Sequence, residues 1–487
     1  MIDLQINERQ LQQTAKLAKE KGILIPTMSQ MKDPDQIPDR IKEQLKNLGL
    51  WEVHPANLFR ISWKNERVDK GGLFSGVNYL ELPSELTGVP ARIVGLLGKW
   101  FPTGAHKVGA TFGCLIPGLV TGQFDPISEK AVWPSTGNYC RGGAYNSELL
   151  SCDSIAILPE EMSKERFEWL SNLAGEVIAT PGSESNVKEI FDKCWELIET
   201  RDNIKIFNQF DEFGNYLWHY DITGSAMLEA VQEIDNGSGR VAGTVLTTGS
   251  SGTLAAADLV KEHYPLSKVV ACEALQCPTL LYNGFGAHRI EGIGDKHVPW
   301  IHNVRNTDLV IGIDDNHTME IARLFNENRG QELLVGEGVS ADLISRLPEM
   351  GVSSVANMIA AIKFARYYEL TEEDIVLTVF TDSMDLYGSR LQEMEKELGS
   401  YDERAAISGY KELRSLSIDH VKELNYYDRK SVHNLKYFTW IEQQGKEMDE
   451  LNAQWYDRDN YWGNTSQKIE EIDRLIEEFN SLTGLAE

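Results

Sequence analysis

The sequence predicts a two-lobed α/β protein whose parallel sheets are covered by helices, with an N-terminal arm and a helical C-terminal extension. Two observations predict it. Between about Tyr79 and Arg390, short runs rich in β-branched residues alternate with amphipathic stretches. The runs are SIAILP, GEVIAT, VAGTVLTT, SKVVACEA, TDLVIGID and DIVLTVF, and SKERFEWLSNLAG and HTMEIARLFNENRG are typical of the stretches between them. Continuous apolar strands separated by helices belong to parallel sheets, whose strands meet water on neither face. Second, 487 residues exceed what one growing core accommodates, so the chain divides.

From the front, residues 1–63 are polar and rich in Lys, Glu and Gln, and IPTMSQMKDPDQIPD breaks them into short helices, so they read as an appended arm. The alternating core follows. Residues 391–487 turn helical and wet, with LQEMEKEL and KIEEIDRLIEEFNSL, and hold 21 acidic and 12 basic residues. Acidity is therefore spread along the chain. The aromatic-rich YFTWIEQQ and QWYDRDNYWGN in this extension are expected to pack on the core or on a second subunit.

With 47 Lys+Arg against 74 Asp+Glu the formal charge is −27, which repels nucleic-acid phosphates and anionic membrane faces. Neither is expected as a partner. The six cysteines are sparse and lack CxxC spacing, so they read as reduced thiols and no metal centre is expected. The charged N-terminus has no signal-peptide pattern, and no run approaches the roughly 18 apolar residues of a membrane span. The expected location is the cytoplasm.

Three stretches carry chemistry. In KWFPTGAHKVGATFGCLIPG, Lys107 sits among small residues without a neighbouring carboxylate. Desolvation there would favour the neutral amine and imine formation with an aldehyde. In RVAGTVLTTGSSGTLAAADLVKEH, the turn Gly249, Ser250, Ser251, Gly252 and Thr253 lies between a strand and a helix. Its N–H groups, its hydroxyls and the helix N-terminus suit a phosphate dianion. It lacks both the P-loop lysine and GxGxxG spacing, so the phosphate is not expected to be a nucleotide's. In AVWPSTGNYCRGGAYNSELL, Ser135, Thr136, Gly137 and Asn138 precede a helix and offer uncharged donors to a carboxylate. An imine lysine, a phosphate cradle and a carboxylate nest together describe a pyridoxal phosphate site for an amino acid.

Across about Lys99 to Arg390 the chain resembles the tryptophan synthase beta, cysteine synthase and cystathionine beta-synthase superfamily, fold type II of the pyridoxal phosphate enzymes. TGAHK at 103–107 resembles the Schiff-base segment, STGN at 135–138 the asparagine loop, and GSSGT at 249–253 the phosphate loop. LPEEMSKERFEWLSNLAGEVIATPG, NQFDEFGNYLWHYDITG and FGAHRIEGIGDKHVP are similar to stretches that follow in the same family order. The resemblance implies a large cofactor-binding lobe of residues 64–112 and 217–390 and a small mobile lobe of 113–216. It implies pyridoxal 5'-phosphate bound by Lys107, with Lys107 also the base that removes the α proton. His106 would stand near the phosphate, Asn138 at the phenolic oxygen, and Ser135, Thr136 and Gly137 at the substrate carboxylate. Gly292 and Gly294 would let backbone approach the cofactor. A small amino-acid substrate and a homodimer are also implied.

The pyridine nitrogen's partner belongs at the end of IVLTVFTDSMDLYGSR. The family usually places Ser or Thr there, which points to Thr381, with Asp382 the alternative next door. Two departures stand out. Cys140 and Arg141 follow Asn138 where small residues are usual, and Cys140 reads as a buried thiol within possible reach of substrate. The stretch around STGNYC also lacks the acidic residue that tryptophan synthase uses for indole chemistry. The expected reaction is β-elimination or β-replacement through an aminoacrylate, as in a cysteine synthase or an amino acid lyase. The alternatives are a non-catalytic ligand binder that recruits a partner through its extensions, which retention of Lys107 disfavours, and a nucleotide-dependent enzyme, which the missing fingerprint disfavours.

Overall fold

The computed structural model describes residues 2–67, 72–135, 137–183, 185–235 and 239–486. Among the described residues eleven strands form two sheets: β1 Tyr79–Leu82, β2 Arg92–Leu97, β3 Lys130–Pro134, β4 Ser154–Pro159, β5 Glu176–Thr180, β6 Ile204–Ile206, β7 Arg240–Thr247, β8 Lys268–Ala274, β9 Leu309–Ile313, β10 Asp374–Phe380 and β11 Val421–Glu423. The smaller sheet runs β5-β4-β3-β6 and is parallel throughout. The larger runs β1-β2-β10-β7-β8-β9-β11, parallel in its five central strands.

The central strands of the larger sheet are apolar on both faces, as burial between helix layers requires; β9 and β10 are buried along their whole length. The outer strands differ from the sequence expectation. β1 and β11 pair antiparallel at the two edges, where a strand needs only one partner. β11 adds one short strand to an otherwise helical extension. Its three residues, VKE, are too few to show an alternating pattern, and they become a strand because β9 offers an open edge.

The strand order fixes where a ligand sits. In each sheet consecutive strands run outward in one direction and then jump to the other side: at β3 in the small sheet, and between β7 and β10 in the large one. Ligands of open α/β sheets lie outside the carboxyl ends of the strands at such switch points.

The ends of the chain clasp each other. The helix Glu8–Lys21, capped by Asn7 and by left-handed Gly22, packs beside the 26-residue helix Arg458–Thr483. Asn480 bonds both the N–H and the C=O of Ile25, and Asp473 accepts from the N–H groups of Met28 (2.6 Å) and Ser29 (3.0 Å). The aromatic patch of the extension packs on the core of its own chain. Trp440, Trp455 and Trp462 are buried, and the Trp440 indole donates to the Val298 carbonyl at 2.8 Å. Buried Lys436 donates to the carbonyls of Trp300 (2.8 Å) and His302 (2.7 Å) and to Gln454 Oε1 (2.7 Å).

Lys436→Met would leave those three acceptors without their donor. The expected loss is about 2–4 kcal/mol of stability, read from the urea midpoint, because each unpaired buried acceptor keeps its desolvation penalty.

Candidate active site

The loops that leave β2, β3, β7 and β10 converge at the switch points. After β2 the chain turns through Thr103 (φ +67°) and Gly104 (φ +73°) and enters the helix Lys107–Thr121. At Gly104 the tip of the Trp51 indole lies 2.6 Å from where a Cβ would sit, so the arm packs directly on this turn. Lys107 Nζ donates to Ser250 Oγ at 3.0 Å, and Asn215 Nδ2 donates to the same oxygen at 3.1 Å. Lys107 has no carboxylate partner among the described residues, and burial lowers its pKa to about 8. Part of the lysine population is therefore neutral near physiological pH. His106 is buried between the rings of Trp63 (5.7 Å) and His219 (4.9 Å). Burial and the adjacent Lys107 charge hold its pKa well below the usual value, so its ring is neutral.

The turn Gly249–Thr253 joins β7 to the helix Leu254–His263, with Ser251 left-handed at φ +61°. FGAHRIEGIGDKHVP docks against it through a 2.8 Å bond from the Gly294 N–H to the Thr248 carbonyl. Asn357 accepts from the Thr247 N–H and donates to the Val379 carbonyl, both at 2.7 Å, so one buried amide ties β7 to β10 beneath the turn.

After β3, Ser135 Oγ accepts from the Gly137 N–H at 2.9 Å. Thr136 lies outside the described residues. Gly137 has φ +154°, and a Cβ there would fall 1.8 Å from Arg166 Nη1, so only glycine lets that guanidinium under the loop. Asn138 opens the helix Asn138–Leu149. Cys140 Sγ donates to the Gly137 carbonyl at 2.8 Å, and burial pushes its thiol up to about 12, which leaves it protonated and inert at neutral pH.

At the end of β10 stands Asp382, fully buried, whose Oδ2 accepts from Asn138 Nδ2 (2.6 Å) and the Tyr387 hydroxyl (2.7 Å). Burial raises its pKa, opposed by the bonds from Tyr387 and Asn138 and by Arg166. From Tyr387 a chain of charge runs outward. Arg166 Nη2 donates to the Tyr387 hydroxyl (3.0 Å), its Nη1 pairs with Glu291 (3.0 Å), and Glu291 pairs with Arg390 (2.5 Å). Arg390 also donates to the Glu161 carbonyl (2.7 Å), and Glu165 accepts from the N–H (2.8 Å) and hydroxyl (2.6 Å) of Ser389. These bonds tie the two sheets across the cleft. Sequence reading favoured Thr381 over Asp382. Thr381 is half-buried, and its backbone carbonyl accepts from the His106 N–H at 3.3 Å, while the carboxylate of Asp382 is the group beside Asn138.

Several buried polar atoms here have no hydrogen-bond partner among the described residues: Ser251 Oγ, Asn138 Oδ1, Asp382 Oδ1 and both ring nitrogens of His106. Donors beside a helix N-terminus suit a phosphate, an amide and a carboxylate suit the polar edge of a heteroaromatic ring, and a lysine without a counter-charge suits an aldehyde. A family model described as pyridoxal-phosphate dependent enzyme matches residues 102–382. The chain belongs to that family.

This pyridoxal phosphate-dependent enzyme is 29% identical over 287 residues to a probable cysteine synthase of Bacillus subtilis, covering 59% of this chain and 85% of the relative. It is 25% identical over 319 residues to a cystathionine beta-synthase of Saccharomyces cerevisiae, covering 63% of this chain and 59% of that one. Among solved structures it resembles a hydrogen sulfide-producing enzyme from Fusobacterium nucleatum, with TM-score 0.56, 22% identity and coverage of 72% of this chain and 95% of that one. An O-acetylserine dependent cystathionine beta-synthase from Helicobacter pylori gives TM-score 0.52 at 25% identity, covering 64% and 94%.

Sequence reading missed Arg166, Tyr387, Glu291, Asn215 and Asn357. Each lies in a segment whose pattern already explains it as part of an ordinary helix or turn, so nothing local marks it. Gly137→Ala would drive Arg166 off Tyr387 and Glu291. It is expected to cost about 3–5 kcal/mol in unfolding free energy, as breaking a buried ion pair does, measured by denaturant titration.

Proposed function

We propose that this enzyme acts on an amino acid bearing a leaving group on its β carbon, removing the α proton and then eliminating or replacing that group. The observation that carries the reading is the Lys107 amine, free of any carboxylate among the described residues and 3.0 Å from Ser250 of the phosphate turn. The likeness to a probable cysteine synthase supports the same chemistry.

The bound cofactor supplies an aldehyde for Lys107 and a conjugated ring that disperses negative charge from the α carbon. Gly249, Ser250, Ser251, Gly252 and Thr253 hold its phosphate, with neutral His106 behind Lys107. Ser135, Thr136, Gly137 and Asn138 hold the substrate carboxylate, and Asn138 also meets the phenolic oxygen. Lys107 Nζ, once displaced by substrate, takes the α proton, and its lowered pKa lets it do so near neutrality. We assign the ring nitrogen to Asp382 in place of Thr381, because its Oδ1 is buried without a partner and Asn138 and Tyr387 fix its carboxylate. A carboxylate there holds a proton on the nitrogen and strengthens the electron sink. The ties from Glu165, Arg166 and Arg390 across the cleft keep water from the reacting carbon.

The reading includes three coarser parts. The small lobe spans 113–216, and residues 64–112 and 217–390 make the large one. The six free, buried thiols support a reducing, cytoplasmic setting. Exposed Tyr427, Phe438 and Tyr456 on the extension support a homodimer.

Borohydride treatment of the holoenzyme followed by peptide mapping should label Lys107, and a label on another lysine overturns the assignment. The rate of cofactor uptake should rise with pH through about 8, as the amine loses its proton, and not through the ordinary lysine value near 10.5. A second test decides the ring nitrogen. Asp382→Asn should slow α-proton exchange by roughly 100-fold or more, since a charge-assisted bond that also sets the ring's protonation is lost. Thr381→Ala should slow it by less than about tenfold, the worth of one neutral hydrogen bond. The reverse order returns the role to Thr381.

A further inference from the structure

Arg141 stands one turn into the helix that Asn138 opens, and it is 2% exposed. Two other arginines beside the cleft are paired with anions, and Arg60 of the arm, buried like Arg141, donates to the carbonyls of Leu45, Leu48 and Gly72. Arg166 has Glu291, and Arg390 has Glu291 and Glu393. Arg141 makes no side-chain hydrogen bond or ion pair among the described residues, and its Nε is buried without a partner. It lies between two indoles, Trp51 of the arm at 5.6 Å and Trp169 at 4.7 Å from ring centre to guanidinium carbon. Asp382, the nearby carboxylate, is already engaged by Asn138 and Tyr387. Burial and the like charge of Arg166 together lower the Arg141 pKa to about 10, so it keeps its charge at neutral pH.

Cation–π contacts return only part of the hydration a buried guanidinium gives up, and a structural arginine in such a setting is satisfied by carboxylates or carbonyls, neither of which Arg141 meets among the described residues. Here two indoles hold the guanidinium while its N–H groups make no hydrogen bond among the described residues, and such donors suit a planar or tetrahedral anion. Residues three apart on a helix stand about 5–6 Å apart at Cβ, so an anion on Arg141 lies one short side chain from a molecule held by Asn138.

We infer that Arg141 recognises a second negative charge on the reactants, a carboxylate, sulfonate or phosphate carried either by the group that leaves the β carbon or by the nucleophile that replaces it. The inference rests on the proposed reading of the cleft as an amino-acid site. It goes beyond that reading by making the enzyme selective for an anionic reactant over a neutral one.

The test uses the holoenzyme, whose phosphate turn is already filled. Inorganic sulfate should bind it, measured by calorimetry, in competition with O-phosphoserine. Arg141→Gln should weaken sulfate binding tenfold or more, with Arg141→Lys between the two. In turnover, two pairs separate the sources: O-phosphoserine against O-acetylserine as donor, and mercaptoacetate against mercaptoethanol as nucleophile. For one pair the wild-type ratio of kcat/KM should favour the anionic member and fall tenfold or more in Arg141→Gln, mainly through KM. Three results would overturn the inference: sulfate failing to bind the wild type, sulfate binding equally to a Gln variant of unchanged melting temperature, or both ratios staying the same in that variant. Sulfate binding needs no turnover, so failure of the amino-acid reading shows separately, as absence of α-proton exchange in the wild type with every amino acid offered.

Discussion

The cleft is governed by one electrostatic constraint: Lys107 is kept without a counter-charge among the described residues although carboxylates stand within the same few loops. A carboxylate at hydrogen-bond distance would raise its pKa and remove the neutral amine. The fold meets this by giving Lys107 a hydroxyl, Ser250, and by giving the carboxylates other partners. Asp382 is taken up by Asn138 and Tyr387, and Glu291 by Arg166 and Arg390. Each acid that approaches the site is thus engaged by partners other than the lysine, which is left without a counter-ion among the described residues.

That division of charge depends on the strand order. Because β7 and β10 are neighbours and run parallel, their carboxyl ends deliver Ser250 and Asp382 to one edge, and Asn357 locks the two strands together just beneath. The small sheet brings Asn138 and, through the helix Lys164–Ser171, Arg166 from the other side. Tyr387 connects the two, since its hydroxyl donates to Asp382 and accepts from Arg166. One phenol therefore holds both the buried carboxylate at the end of the large sheet and the guanidinium that comes with the small one.

Much of this was legible in the sequence where chemistry needs a local pattern. A Gly- and Ser-rich turn between a strand and a helix could be read locally, and Lys107 stands out because its neighbours are small and uncharged. Parallel sheets could be read from apolar runs, because burial on both faces erases alternation. The rest is non-local. Arg166 and Glu291 are 125 positions apart and become partners only after the lobes meet, and each alone reads as an amphipathic-helix residue or a loop acid. Which of the adjacent Thr381 and Asp382 side chains is buried beside Asn138 could not be read locally, because a one-residue shift at a strand end reverses the orientation. β11 escaped notice because an edge strand of three residues is created by its neighbour, not by its own sequence.

The arm and the extension lie outside the family match, yet they are built into the site. Trp63 packs against Phe101 and His106, and its indole donates to Thr223, whose hydroxyl also meets His219. The neutral pair His106 and His219 behind Lys107 is therefore enclosed by a residue the core does not supply. Trp51 covers the turn at Gly104 and one face of Arg141, and the neighbouring Glu52 carbonyl accepts from Tyr145 on the helix that Asn138 opens. The arm is in turn held by Asp473 and Asn480 of the last helix, so the extension reaches the cleft at second hand. The matched family core alone thus leaves one side of His106 and one side of Arg141 without cover, and the arm supplies both through Trp63 and Trp51, so the surroundings of the candidate site belong to the whole chain and not to that core alone.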